Sequence, residues 1–180
     1  ELKARLHVSP LLRPGRPRTT EAREKRPGTL ILAGSSNPVT ERQLAALNSQ
    51  GMAATIPWAR QAWRLAQAAL GAGQNVIIRI PVNQRPDATV LGGLRRLLPL
   101  FRDGRPGSLI VTGGDTADLL CRCLRPRAII IRGEIVPGLA WGHFLGGHAD
   151  GLPVATKPGG FGRDASLVRA VRFLATASIP

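Results

Sequence analysis

An α/β doubly wound domain, with a mostly parallel sheet and helices on both faces, is the fold this 180-residue sequence predicts. Three observations carry that expectation. Short apolar, β-branched runs recur along the chain, longer stretches with helical periodicity separate them, and glycine-rich segments fall where runs end. Strands that are apolar throughout, rather than alternating, need cover on both faces, and helices joining parallel strands supply it.

Taken in order, TLILAG (29–34) is the first strand. TERQLAALNSQG (40–51) follows with helical spacing, a Thr40-x-x-Gln43 capping box and Gly51 as its stop. MAATIP (52–57) reads as a strand, ARQAWRLAQAALGAG (59–73) as a helix and NVIIRI (75–80) as a strand. After a Pro/Asn turn, DATVLGGLRRLLPLF (87–101) is helical, and Pro99 should end or kink it. SLIVTG (108–113) is a strand, DTADLLCRCL (115–124) a helix, AIIIRG (128–133) a strand, LPVATK (152–157) a strand, and DASLVRAVRFLATA (164–177) the closing helix.

Length and composition bound the rest. A chain of this size builds one hydrophobic core without disulfides. Its 43% hydrophobic content, with 21 Gly and 15 Pro, is that of a globular, turn-rich domain. No apolar run approaches the roughly 20 residues that span a bilayer, and no secretory leader pattern opens the chain, so a cytoplasmic protein without a membrane partner is expected. The formal charge is +14, and of 25 basic side chains only Lys3, Lys25 and Lys157 are lysines. Much of the excess lies in residues 1–27, which read as a basic Pro/Arg-rich arm or linker before a domain over 28–180. Elsewhere the charge is dispersed and aromatics are few, so nucleic acid is not the expected partner. Cys121 and Cys123 are too close for an ordinary disulfide and lack a second pair for zinc; one buried and one half-exposed thiol are expected. His143 and His148 have no metal-ligand spacing and read as structural.

In open parallel sheets ligands bind beyond the carboxyl ends of the strands, where loops run into helix N-termini. The glycine-rich segments AGSSNPVT, TGGDTA, RGEIVPG and TKPGGFG each follow a strand, so four loops can converge on one mouth. In the first, Ser35, Ser36 and Asn37 are small polar groups able to bond a ligand or to make a turn. In the second, Gly113 and Gly114 let backbone N–H groups face one point, with Asp115, Thr116 and a helix N-terminus behind, an arrangement that suits an anion or a capped turn. In the last, Lys157 is the only lysine after residue 25. Its compact ammonium suits a phosphate, while Gly159 and Gly160 let a nucleotide lie against the backbone with Phe161 as an apolar prop or core residue. Glu134 is a loop carboxylate able to hold magnesium through water or to pair with Arg132. Neither a P-loop nor a strand–G-x-G-x-x-G–helix fingerprint is present.

In order and spacing, GSSNPVTERQ, VTGGDTA, RGEIVPGLAWGHFLGG and DGLPVATKPGGFG resemble the C-terminal nucleotide-binding domain of the four-carbon acid sugar kinase family, over roughly residues 28–176. The resemblance implies ATP and Mg2+ as cofactors and phosphorylation of a hydroxyl of a sugar acid such as threonate or erythronate. It implies that Ser35, Gly113, Gly114, Asp115, Thr116 and Gly159 or Gly160 contact ATP, with Lys157 near the phosphates. Lys157 and Asp115 would support catalysis, Asp115 would help hold the metal, and the catalytic base would come from another domain. Pro158 stands where the family has Ser, Asn37 where a second Ser is expected, and nothing here matches the acidic DDxTG block of the family's N-terminal, sugar-acid-binding domain. The chain therefore reads as the ATP-binding half of a kinase, inactive alone, reaching its sugar acid through an N-terminal domain. The alternative is a non-catalytic nucleotide-binding or assembly module of the same fold. The sugar acid and the oligomeric state, homo-oligomer included, are left open.

Overall fold

A computed structural model describes residues 26–81, 87–102 and 105–177. The basic arm expected over 1–27 lies outside the described residues except for Arg26 and Pro27, as does the Pro/Asn turn beyond Pro81. The elements run β1 (Thr29–Ala33), α1 (Pro38–Ser49), β2 (Ala53–Ile56), α2 (Ala62–Gly71), β3 (Asn75–Arg79), α3 (Asp87–Arg95), α4 (Leu98–Arg102), β4 (Ser108–Thr112) and α5 (Gly114–Leu124). β5 (Ala128–Val136), β6 (Leu139–Leu145), a 3-10 turn (Gly147–Ala149), β7 (Pro153–Lys157) and α6 (Ser166–Thr176) complete the chain.

The seven strands form one sheet in the order β2-β3-β1-β4-β7-β6-β5. β2, β3, β1, β4 and β7 are parallel, and β6 runs antiparallel to both neighbours. The mostly parallel, doubly wound expectation therefore stands. The fully buried strands β1 and β4 are the apolar runs that predicted it. Each strand face feeds its own core. Leu30, Leu32, Val76, Ile78, Leu109 and Val111 point to one face, beneath α2, α3, α4 and α5. Ile31, Ile77, Ile110 and Ala155 point to the other, beneath α1 and α6. This is the period-two alternation of a strand buried on both sides.

Three local readings change. The helix expected from Thr40 begins at Pro38, because the Asn37 carboxamide oxygen accepts the Val39 amide at 2.9 Å and Pro38, which has no N–H to leave unpaired, fits the first turn. Thr40 and Gln43 are thus not a capping box. The 87–101 helix divides after Arg95, with Pro99 in the first turn of α4. Finally, RGEIVPG is not a loop: β5 continues to Val136, turns at Pro137–Gly138 and returns as β6, a strand whose apolar run is interrupted by Gly142 and His143. Glu134 consequently stands on an edge strand opposite Ala140, and among the described residues it makes no ion pair with Arg132. The thiols behave as expected: Cys123 is buried and Cys121 half-buried, and burial pushes both pKa values up.

Candidate functional site

β1 and β4 are neighbours, yet β1 leads to α1 on one face and β4 to α5 on the other. Between strands whose helices leave to opposite faces, the loops separate and a crevice opens at the carboxyl edge. Two backbone bonds close the floor of that crevice: Gly34 N donates to Thr112 O at 3.2 Å and Gly113 N to Lys157 O at 3.0 Å. The ends of β1, β4 and β7 are held level, and the three following loops leave from one line.

Ser35 is at the centre. A Cβ placed on Gly113 would lie 3.4 Å from Ser35 N, and one on Gly159 would lie 2.2 Å from Ser35 Oγ and 3.1 Å from its Cβ. Gly113 also has φ +96°, a conformation that side chains rarely adopt. The glycines at the second and last loops are therefore required by close approach and by backbone conformation, and both press against the first loop. Gly160 is beside Asn37, whose Nδ2 is 3.4 Å from the equivalent Cβ position.

The donors are backbone amides. Gly113 caps α5 without a side-chain bond, and its carbonyl accepts from Ala117 N, so the N–H groups of Gly114, Asp115 and Thr116 are first-turn amides with no intrahelical acceptor. The helix dipole adds partial positive charge there. The Asp115 side chain is exposed in that first turn, whereas Thr116 is buried. The hydroxyls of Thr112 and Thr116 are buried without a partner among the described residues, close under the Gly113 turn.

Lys157 is 2% exposed, and its ammonium turns inward. Nζ donates to Pro158 O at 2.8 Å, Gly159 O at 2.9 Å and Phe161 O at 3.1 Å, with Thr40 Oγ1 at 3.4 Å. Its three N–H bonds are committed to the loop it precedes, and in this geometry none is offered to a phosphate. Burial pushes its pKa down from 10.5 to about 8. α1 holds the same loop from the other side: Thr40 Oγ1 donates to Gly159 O at 2.8 Å, and Gln43 Nε2 to Phe161 O at 3.0 Å and Arg163 O at 2.9 Å. Sequence reasoning missed this use of Thr40 and Gln43. Their spacing of three does place both on one helix face, but that spacing is also the signature of a cap.

Space flanks the loops on both sides. A cavity of about 610 Å3 runs between the β5–β6 turn and the start of α6, walled by Pro137, Gly138, Phe161, Arg163, Ser166 and Arg169. Phe161 is 56% exposed, so it is a wall rather than core. Smaller hollows of about 240 Å3 beside Gly113, Gly114 and Pro158, and of about 230 Å3 beside Ser35, Ser36 and Trp58, complete the mouth. The segment RGEIVPG, expected at the mouth as a loop, reaches it as the Pro137–Gly138 turn of a hairpin, whereas Arg169 was missed by sequence reasoning. The predicted residues Ser35, Gly113, Gly114, Thr116, Gly159 and Gly160 are brought to one crevice; Asp115 is at its outer edge, and Lys157 lies beneath. Among the described residues no three His, Cys, Asp or Glu side chains cluster as a metal site.

Residues 30–167 match the family model described as a nucleotide-binding C-terminal domain. The chain is 36% identical over 77 residues to a D-threonate kinase of Salmonella typhimurium, a stretch covering 43% of this chain and 18% of that protein. It is 32% identical over 82 residues to a D-erythronate kinase of Heliobacterium modesticaldum, covering 46% of this chain and 18% of the relative. A crystal structure of a domain of unknown function from Bordetella bronchiseptica, a domain-swapped dimer with bound citrate, is similar with a TM-score of 0.71 at 25% identity. That likeness covers 87% of this chain and 42% of the Bordetella chain. The alignments thus take in less than a fifth of the curated relatives and about two fifths of the solved structure.

Proposed function

The chain belongs to the nucleotide-binding C-terminal domain family, and from that premise we propose that it is the ATP-binding half of a cytoplasmic kinase acting on a hydroxyl of a four-carbon sugar acid of the threonate or erythronate type. The observation that carries the proposal is the meeting of Ser35, Gly113 and Gly159 at the switch point of the sheet, with backbone amides on both sides that have no acceptor among the described residues.

Phosphoryl transfer asks little covalent chemistry of the protein; it needs the phosphates positioned and their charge offset. In this reading the amides of Gly114, Asp115 and Thr116 hold phosphate oxygens on one side of Ser35, and those of Gly159 and Gly160 hold them on the other. The Ser35 hydroxyl bonds between them. A nucleoside fits the cavity walled by Phe161 and Pro137, whose roughly 610 Å3 falls in the range of small-ligand sites. Asp115 is the one carboxylate among these loops and suits magnesium only as a single, outer ligand, so an ion would be held chiefly by the nucleotide. Asp115 would be that outer ligand, and a magnesium ion held with the nucleotide would supply charge neutralisation at the phosphates. The sugar acid that carries the acceptor hydroxyl would be bound, and the proton of that hydroxyl taken, by an N-terminal domain, with residues 28–180 as the nucleotide-binding domain.

Calorimetric titration of the chain with ATP, with and without magnesium, tests the reading. Saturable binding is expected, weakened at least tenfold in Gly159→Val. Absence of binding at millimolar ATP in a folded sample would reject it. If binding occurs but no sugar acid is phosphorylated when the missing domain is supplied, the non-catalytic module is the better description.

A further inference from the structure

The carbonyl cage around Lys157 has a consequence for the other side of its loop. Nζ draws in the carbonyls of Pro158, Gly159 and Phe161. Among the described residues no peptide is cis, and a trans peptide points its N–H opposite to its C=O. Each carbonyl turned inward therefore turns the next amide outward: those of Gly159, Gly160 and Gly162. Among the described residues none of the three has a hydrogen-bond acceptor, while Phe161 N bonds Pro158 O and Arg163 N bonds Ser166 Oγ. Gly160 and Gly162 are exposed and Gly159 half-buried. The result is a run of outward N–H groups on the side of the loop away from Nζ, the donors an anion cup would use.

We propose that Lys157 is a positioning residue rather than a phosphate ligand: its ammonium, held inside the loop, keeps the amides of Gly159, Gly160 and Gly162 aimed outward to bind a phosphate group. The anion part rests on the nucleotide reading above; the loop part does not. A neutral amine has only two N–H bonds to give and no charge to hold converging carbonyls, so the cup depends on the proton. Among the described residues the one side chain within hydrogen-bond distance of Nζ is the uncharged Thr40, through Oγ1, and burial alone, with no charged partner, lowers the Lys157 pKa. The charged neighbours are engaged or turned out: Glu41 with Arg79, Arg42 with Asp164, Arg163 exposed, and Asp115 exposed. No carboxylate lies within ion-pair distance of Nζ among the described residues.

With a pKa of about 8, the protonated fraction falls about eightfold between pH 7.5 and 9, and apparent ATP affinity should fall by the same factor. The phosphates themselves ionise below this window. The experiment follows the carbonyl 13C resonances of Pro158, Gly159 and Phe161 in the full chain against pH, first without nucleotide and then with ATP, alongside calorimetry at pH 7.5 and 9. Expected are three carbonyls that titrate together without nucleotide, that keep their low-pH positions when ATP binds, and a pH-dependent affinity that Lys157→Met lowers and flattens. Carbonyls that do not titrate together would overturn the proposal. So would carbonyls that move to their high-pH positions on ATP binding, since the ammonium would then have left the cage for the phosphate. The wild-type titration requires no variant to fold. Carbonyls that titrate in a chain that binds no ATP at any pH would leave the loop assignment standing and reject the nucleotide reading.

Discussion

The single residues at the crevice are decided by distance. Gly159 cannot carry a side chain without moving Ser35, because its Cβ would sit 2.2 Å from Ser35 Oγ. Gly159→Ala should lower thermal stability by about 1–3 kcal/mol, the usual effect of overpacking, and weaken ATP more than tenfold. Calorimetry beside a melting curve separates the two losses. Lys157 makes a second residue-scale statement, with its sign fixed by linkage. Its native pKa, about 8, lies below the unfolded value of 10.5. Between these values the unfolded chain holds more protons than the native one, so this group makes stability rise with pH. Its contribution is fully present above 10.5 and is lost as pH falls through about 8. Denaturant melts from pH 7.5 to 10.5 should show that rise while ATP affinity falls, and Lys157→Met should remove the Lys157 share of both slopes. The glycines were legible in the sequence as points of close approach, because few pressures other than close approach or φ > 0 favour glycine there. The direction in which the lysine points was not legible. A cation beside glycines serves a bound phosphate or its own loop carbonyls equally well, and only burial distinguishes them.

At the scale of elements, α1 is the clamp. One turn of it supplies Thr40 to Gly159 O and Gln43 to Phe161 O and Arg163 O. Gln43 is fully buried, so Gln43→Leu leaves Arg163 O without its donor and Phe161 O with Lys157 Nζ alone, an effect of roughly 1–3 kcal/mol. Tryptic cleavage after Arg163 should accelerate in that variant well beyond what its melting temperature explains, and unchanged cleavage would remove α1 from the loop's support. The Glu41–Arg79 pair, which ties the first turn of α1 to the end of β3, should matter far less. Arg79 holds the Glu41 carboxyl below its usual range, but both side chains are more than two fifths exposed. Arg79→Met is expected to cost less than about 1 kcal/mol at neutral pH, an effect that shrinks as acid protonates Glu41. Element boundaries were legible where periodicity was clean, as in β1, β4 and α5. They failed where a local motif had two meanings: Thr40 and Gln43 matched a cap, while Asn37, one residue before a proline, made the actual one.

The whole molecule follows from a strand order that puts β1 and β4 side by side with helices departing to opposite faces. That arrangement was legible as a class from apolar runs alternating with helical stretches. Strand order was not, because buried strands look alike in sequence, and of the β5–β6 hairpin only 128–133 was read as a strand, because glycine and histidine interrupt the apolar pattern of β6. The edge strand β5 leaves Ile130 and Ile131 exposed at 37% and 57%. Among the described residues no membrane-length apolar helix is present. The chain alone should show no phosphorylation of threonate or erythronate above background, and addition of the N-terminal domain should restore it; coupled detection of ADP provides the readout. The most direct test of the central claim is a 1H–15N titration with ATP and magnesium. Saturable shifts are expected, concentrated at Ser35, at residues 113–116 and at 159–162. Saturable shifts confined to the basic arm of residues 1–27, or none at millimolar ATP in a folded sample, would contradict it.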